Sequence, residues 1–129
     1  MRTAGVVSLW LGKADSEGTL LSALELAYSP DGDLLGCAFS DGFRLKPYDD
    51  DFREAAFRDA WVQDLAGHLS GVSYETSVTS GFATIGVKPE PGENCFVLLY
   101  DYLFTGNPIE RWTVRGLSLR FAGTVSYEK

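Results

Sequence analysis

The chain has 129 residues, of which 45% are hydrophobic and 13% aromatic, and a formal net charge of −7. This length and apolar content are enough for one compact domain with a core that needs neither metal nor disulfides. The excess of eighteen acidic over eleven basic residues argues against nucleic acid or an anionic membrane as the main ligand.

The first elements in chain order are a strand, a helix and a turn. Residues 4–11 (AGVVSLWL) form a short apolar, β-branched run that ends before a glycine, which predicts a buried strand. Asp15 and Ser16 offer an N-cap for an amphipathic helix whose apolar face extends to Ala27, until Pro30 prevents continuation. Residues 29–33 (SPDGD) then predict a tight turn, because proline fixes φ and Asp-Gly tolerates the left-handed region.

The middle of the chain is less regular. Residues 34–46 predict an irregular segment with one short strand at 43–46. Three consecutive aspartates at 49–51 precede apolar residues that include Phe52, Trp61 and Leu65, and acidic residues favour the first turn of a helix. We therefore predict a second helix that runs to about Ser70.

The last third of the chain predicts mainly strands. Residues 72–87 have no dominant period and leave strand and helix open, and residues 88–94 read as a polar loop. Residues 95–104 (CFVLLYDYLF) are apolar almost throughout, which is typical of a central strand. Residues 112–115 and 117–121 alternate apolar and polar positions, as half-buried antiparallel strands do, and the last strand extends towards Tyr127.

These elements predict an α+β fold in a single domain. We expect a mainly antiparallel sheet with two or so helices packed on one face. The two cysteines, Cys37 and Cys95, have apolar neighbours and no ligand-like spacing, which predicts buried free thiols. No secretory signal or apolar stretch of membrane-spanning length is visible, so we expect a reduced, cytoplasmic location. The oligomeric state is left open.

The acidic residues concentrate in the first half of the chain. Residues 1–64 carry twelve carboxylates and six cations, whereas residues 65–129 carry six and five. Clustered carboxylates focus a negative potential that speeds the approach of a basic protein. The sequence therefore predicts a partner-binding patch in this half, with one exposed aromatic anchor, Tyr48. The patch consists of Asp31, Asp33, Tyr48, Asp49, Asp50, Asp51 and Glu54.

Signs of catalysis are few. His68 is the only histidine, and the sequence places no orienting partner beside it, which favours a surface or boundary position. The carboxylates at 49–54 leave open a metal-assisted hydrolase as an alternative function. The basic residues Arg111, Arg115, Arg120 and Lys129 are interpreted as the solvated face of the terminal strands. We predict no catalytic residues, no metal site and no cofactor.

Several short segments, in this order and spacing, resemble the immunity protein 22 family. The segments in the first 57 or so residues are 7–12 (VSLWLG), Tyr28 with 31–33 (DGD), Phe39 with 41–43 (DGF), and 48–55 (YD-x-DF-x-EA). A looser likeness continues at 99–100 (LY) and in the pattern Phe121-x-Gly123-x-x-x-Tyr127. The chain departs from the family pattern between residues 72 and 87.

This resemblance implies an α+β inhibitor without catalysis. Members of the family are associated with bacterial polymorphic toxin systems and competition between cells, in which a small cytosolic protein neutralises a cognate toxin domain. If that toxin is a nuclease, its basic surface would meet the acidic patch. A housekeeping protein-interaction module is the other non-enzymatic alternative.

Overall fold

The fold is taken from a computed structural model of the chain. It describes residues 2–46, 48, 50–58, 64–105 and 111–128, without the side chains of Arg2 and Asp50. Trp61, part of the predicted second helix, and residues 106–110, between the predicted strands at 95–104 and 112–115, therefore lie outside the described residues.

The described residues form seven strands, four α-helices and one 3₁₀ turn (Asp50–Phe52). The strands are β1 (Arg2–Ala14), β2 (Ala27–Tyr28), β3 (Leu34–Gly36), β4 (Arg53–Phe57), β5 (Cys95–Tyr102), β6 (Arg111–Val114) and β7 (Leu117–Ser126). The helices are α1 (Glu17–Leu24), α2 (Ala38–Gly42), α3 (Leu65–His68) and α4 (Glu75–Thr84).

Five of the strands form one antiparallel sheet in the order β4-β5-β1-β7-β6. The first strand, β1, lies at the centre, and every residue of its neighbour β5 is buried, as expected for a strand inside a sheet. β2 and β3 form a separate hairpin around the predicted turn at 29–33. The α+β class and the mainly antiparallel sheet are thus confirmed.

Helices cover both faces of the main sheet, not one face as predicted. Alternate residues of a strand point to opposite faces, and those of β5 divide accordingly between two hydrophobic clusters. One cluster contains Trp10 with the apolar residues of α1 and α2. The other contains Leu9 and Leu11 with the apolar residues of α3 and α4. The sequence did not show this arrangement because α4 is rich in serine and threonine.

The first strand and helix are confirmed, with shifted ends. β1 continues through Gly12 to Ala14. This close pairing requires glycine at position 12, because a Cβ there would collide with the carbonyl oxygen of Ser118. Ser16 caps α1 by accepting a hydrogen bond from the Thr19 amide (3.2 Å). The helix ends at Leu24 and does not include Ala27, which pairs with Gly36 in the small hairpin.

The predicted second helix from residue 49 to about 70 is wrong over most of the described part. The acidic residues lead into a single 3₁₀ turn, and residues 53–57 form the edge strand β4, which pairs with β5 from Arg53–Leu99 to Phe57–Cys95. Only Leu65–His68, at the far end of the predicted span, is helical. The short strand expected at 43–46 is also absent from the described structure, where residues 38–42 form α2.

Residues 72–87, which the sequence left undecided, contain α4. Its buried residues Val78 and Phe82 are four positions apart, so both face the sheet. α4 is the longest described helix, with ten residues. None of the helices in the described part of the chain has the length and apolar character needed to span a bilayer.

A buried ion pair fixes the predicted loop 88–94 to β7. Glu93 is 2% exposed, and its two carboxylate oxygens accept hydrogen bonds from Arg120 Nε (2.8 Å) and Nη2 (2.9 Å). This pairing with Glu93 raises the pKa of Arg120. Arg111 is paired with the exposed Glu90 (3.1 Å). Arg111 and Arg115 are exposed, as predicted for a solvated face, whereas the prediction is wrong for Arg120, whose side chain is 14% exposed and paired with the buried Glu93.

Both cysteines are free and buried, as predicted. Burial raises the pKa of the Cys95 thiol to about 12. A thiol with such a pKa is not a nucleophile near neutral pH, because the thiolate is the reactive form. The two cysteines are packing residues.

Candidate functional site

The predicted acidic residues fall in two different parts of the fold. Asp31 and Asp33 are exposed in the turn between β2 and β3. The turn closes with hydrogen bonds from the Ser29 amide to the Asp33 carbonyl oxygen (2.8 Å) and from the Gly32 amide to Ser29 (2.9 Å). Gly32 has φ +88°, a conformation that glycine adopts without strain.

Tyr48, predicted to be the exposed anchor, is buried. It is 7% exposed, and its ring packs against Phe39 and Tyr102, with centroid distances of 6.4 and 6.5 Å. Its hydroxyl lies 3.6 Å from Cys37 Sγ, and burial raises the pKa of this phenol above the usual range. Tyr48 is a core residue that belongs to the hydrophobic cluster on the sheet face covered by α1 and α2.

Of the predicted acids at 49–54, Asp51 and Glu54 are described with their side chains. Asp49 lies outside the described residues, and the side chain of Asp50 is not described. Asp51 is exposed. Glu54, on β4, is half-buried and accepts hydrogen bonds from the amide and the hydroxyl of Ser73, both at 2.8 Å. Glu54 thus ties the segment before α4 to the edge of the sheet.

Asp51 and Glu54 line a recess of about 220 Å³ that we call the tyrosine recess. The recess forms where the 3₁₀ turn, β4, β5, the segment before α4 and the end of β7 meet. Its charged and aromatic lining consists of Asp51, Phe52, Glu54, Tyr74, Tyr100, Asp101 and Tyr127, and Ser73 completes it. Asp31, Asp33 and Tyr48 are not among its lining residues.

Three tyrosine rings pack on one another in the recess. The centroid distances are 5.3 Å between Tyr100 and Tyr127, 5.4 Å between Tyr74 and Tyr127, and 6.1 Å between Tyr74 and Tyr100. Tyr100 and Tyr127 are buried, whereas Tyr74 is 45% exposed. The cluster therefore has two rings anchored in the protein and one ring that solvent or a partner can reach.

The two buried phenols are held by carboxylates. The Tyr100 hydroxyl lies 2.7 Å from Glu54 Oε1 and 2.8 Å from the Ser73 carbonyl oxygen, and its one proton can go to either. The Tyr127 hydroxyl donates to Asp101 Oδ1 (2.8 Å). Burial first, and then the neighbouring carboxylate, raises the pKa of both phenols above the usual range. Both tyrosines thus remain neutral hydrogen-bond donors near neutral pH.

Two residues of the recess have backbone conformations that are rare outside glycine. Tyr74 has φ +56° and Asp101 has φ +57°. Aspartate tolerates this region, and the Asp101 carboxylate also accepts a hydrogen bond from the Gly5 amide (2.9 Å). For a bulky residue such as Tyr74, the left-handed conformation costs about 1–3 kcal/mol. Strain of this kind concentrates at functional sites.

Tyr74 also departs from the usual start of a helix. It is the N-cap of α4, yet it makes no side-chain capping hydrogen bond. Serine, threonine, aspartate and asparagine are preferred at this position, and losing such a cap costs about 1 kcal/mol. Helix capping and backbone conformation therefore do not account for a tyrosine at this position.

A wider groove of about 700 Å³ adjoins the recess and runs between α4 and the end of β7. It shares Tyr74 and Tyr127 with the recess and adds the exposed acids Glu75 and Glu128. No lysine or arginine is among the described residues that line the recess and the groove. The two together form a continuous surface whose described charged groups are all carboxylates.

The only histidine of the chain lies in the core, not at the surface or boundary as predicted. His68 is fully buried and packs edge-on against Phe96, and its Nε2 lies 3.2 Å from the Glu93 carbonyl oxygen. Burial lowers the pKa of the imidazole below its ordinary value of 6.5. His68 is therefore a neutral packing residue that a substrate at the surface does not reach.

The lowered pKa of His68 predicts a pH dependence of stability. The unfolded chain takes up a proton near pH 6.5 that the folded protein resists, so the contribution of His68 is complete above pH 6.5 and is lost as the pH falls through the folded pKa. Urea unfolding at pH 7.5 and 5.5 should show a larger loss of stability for the wild type than for His68→Gln. Equal losses in both proteins would contradict this assignment.

Among the residues described with side chains, no three histidine, cysteine, aspartate or glutamate side chains lie close enough to hold a metal ion. The recess holds phenols and carboxylates that are hydrogen-bonded to one another. Such an arrangement is suited to binding a cation by charge and by its aromatic faces.

Sequence reasoning included Asp51 and Glu54 in the site but missed the other recess residues. Tyr74, Asp101 and Tyr127 are distant from the acidic stretch in the chain, and only pairing of the strands brings them to it. A partial signal was present, since the family-like segments at 99–100 and 121–127 include Tyr100 and Tyr127.

Comparison with known proteins gives one match. The model of a protein family described as Immunity protein 22 matches residues 7–128. No curated protein and no solved structure matches the chain. The family match covers nearly the whole chain and supports an immunity function in the general sense.

Proposed function

The chain belongs to the immunity protein 22 family, and on that premise we propose that it binds and neutralises a cognate bacterial toxin domain without catalysis of its own. The observation that carries this proposal is the family match over residues 7–128. The protein would act in the cytoplasm of a bacterium that uses a polymorphic toxin system, and its partner would be a protein rather than nucleic acid.

The proposed binding surface is acidic, and the proposed partner is basic. Asp51, Glu75 and Glu128 are exposed around the tyrosine recess and the α4 groove. Asp31 and Asp33 add exposed carboxylates at the β2–β3 turn. A nuclease toxin needs cations to hold its phosphate substrate, so a nuclease domain is the class of toxin that this surface would attract most strongly.

Two residues of the predicted patch take other roles in this proposal. Tyr48 supports the core beneath the segment before β4. Glu54 holds Ser73, and with it the segment that presents Tyr74. Asp49 and Asp50 remain proposed steering charges beside Asp51.

Titration of the protein with the catalytically inactive toxin domain encoded beside its gene tests the proposal. We expect tight binding that weakens as salt increases, because salt screens the attraction between opposite charges. Absence of binding at low salt, with both proteins shown to be folded, would contradict the proposal.

A charge variant tests the proposed location of the surface. Asp51→Asn should slow association with the toxin domain severalfold at low salt, because charges at the rim of an interface act mainly on the association rate. Glu17→Gln is the matched control, since it removes one exposed carboxylate from α1, on the opposite face of the main sheet. Stopped-flow kinetics compare the two variants. An equal effect of both would place the interface elsewhere.

A further inference from the structure

We propose that the tyrosine recess is the receptor for an arginine side chain of the toxin domain. This inference rests on the proposed function and adds to it the residue type that is recognised and the place where it binds. The exposed ring of Tyr74 would cover the guanidinium, Tyr100 and Tyr127 would form the inner wall, and the carboxylates of Asp51 and Glu54 would balance its charge.

The size of the recess suits this occupant. Its volume of about 220 Å³ corresponds to about seven water molecules at 30 Å³ each. An arginine side chain has seven non-hydrogen atoms. The recess is thus large enough for one such side chain.

The electrostatics of the recess favour a cation. Asp51, Glu54 and Asp101 contribute three carboxylates to its lining, and none of its described lining residues is a lysine or arginine. Three donor groups reach Glu54, namely the Ser73 amide, the Ser73 hydroxyl and the Tyr100 hydroxyl. A carboxylate offers about four acceptor positions. Among the described residues, the Ser73 hydroxyl is the one donor to Glu54 Oε2, so this oxygen can accept a further N–H group.

The aromatic lining favours arginine over lysine. A planar guanidinium stacks on an aromatic ring while its edge donates hydrogen bonds to carboxylates, whereas an ammonium group acts as a point charge. The recess offers both features, because Tyr74 and Glu54 both line it and Glu54 accepts a hydrogen bond from Ser73, the residue before Tyr74. Tyrosine and arginine are also enriched among the residues that dominate binding energies at interfaces.

The conformation of Tyr74 is an independent observation. Its left-handed backbone and its missing capping bond both oppose a tyrosine at this position. Positions at which a sequence breaks local rules are expected at functional sites. The side chain that breaks them is also the one exposed ring of the recess.

Because local backbone rules do not favour tyrosine at position 74, a substitution there can separate the effect on binding from the effect on folding. Asparagine tolerates the left-handed region and is a preferred N-cap, which offsets the loss of the ring contacts of Tyr74 with Tyr100 and Tyr127, so Tyr74→Asn should leave the melting temperature nearly unchanged. The same variant should weaken binding of the inactive toxin domain by about 30-fold or more, the loss typical of a dominant interface residue. Leu21→Ala, which removes an exposed apolar side chain from α1 on the opposite face of the main sheet, is the control and should bind as the wild type does.

A small probe tests the recognition of arginine directly. We expect N-acetyl-arginine amide to shift the ring resonances of Tyr74, Tyr100 and Tyr127 in NMR spectra of the wild-type protein at millimolar concentration. N-acetyl-citrulline amide, which has nearly the same shape but no charge, should leave them unchanged. Equal shifts with both probes, or none with either, would overturn the inference.

Titration with the toxin domain distinguishes failure of the arginine receptor from failure of the proposed toxin-binding function. If the wild type binds the toxin domain and Tyr74→Asn binds it equally well, the arginine receptor is overturned while the proposed function stands. If the wild type does not bind the toxin domain, both are overturned. Binding by the wild type, a loss of 30-fold in Tyr74→Asn, and shifts with the arginine probe alone would support both.

Discussion

Replacing Trp10 by alanine should lower the free energy of unfolding by about 3–5 kcal/mol, the range measured for removing a buried tryptophan or phenylalanine side chain. Trp10 is fully buried on the central strand β1. Four aromatic rings surround it, with centroid distances of 5.1 Å to Phe39, 5.7 Å to Phe43, 5.4 Å to Phe104 and 5.4 Å to Phe121. The substitution would leave a cavity that these rings fill only in part. Urea unfolding measures the loss.

Two further variants calibrate this result. Leu35→Ala removes an apolar side chain that is 59% exposed and should change the stability by no more than about 0.5 kcal/mol. Trp10→Phe should cost less than Trp10→Ala, because it keeps a ring and removes the indole N–H, which has no hydrogen-bond partner among the described residues. A Trp10→Ala protein as stable as Leu35→Ala would show that the aromatic cluster is not the centre of the core.

Replacing Glu93 by alanine should destabilise the protein by about 3–5 kcal/mol, because it leaves the Arg120 guanidinium buried without its main partner. Arg120 has a second, weaker partner in Glu90 (3.4 Å), which places the expected loss towards the lower end of this range. The loop 88–94 would lose its attachment to β7 at the same time. The change in the midpoint of denaturant unfolding reports the effect.

The surface pair in the same region is the matched control. Arg111 and Glu90 form an ion pair in which both side chains are about half exposed, and such pairs contribute about 0–1 kcal/mol. Arg111→Ala should therefore have a small effect. The double variant Glu93→Met with Arg120→Met should recover much of the stability lost in Glu93→Ala, because it removes both buried charges. A double variant less stable than Glu93→Ala would show that the unpaired charge of Arg120 is not the cause of the loss.

The strands were easier to predict than the helices, for physical reasons. β1 and β5 are apolar on both faces because helices cover both faces of the sheet, and their long apolar runs made this visible in the sequence. The alternating pattern of β6 and β7 reflected their partly exposed faces. α1 was predictable because Ser16 supplies a local capping signal.

The error at β4 shows where local patterns fail. The aspartates before Phe52 and the alanines at 55 and 56 favour a helix by local rules, yet this segment pairs with β5. β5 is buried along its whole length and needs a hydrogen-bonding neighbour on each side, so pairing outweighs the local preference. The same pairing carries Glu54 to Ser73 and Tyr100 and so builds the recess, which no local pattern predicts.

The central claim, that this protein neutralises a toxin, is tested most directly by growth of a sensitive bacterial strain that expresses the active toxin domain encoded beside this protein's gene. We predict that co-expression of the wild-type protein restores growth and that co-expression of Tyr74→Asn, at equal protein levels, restores it less well. If cells that produce folded wild-type protein die as quickly as cells without it, this protein is not the immunity partner of that toxin.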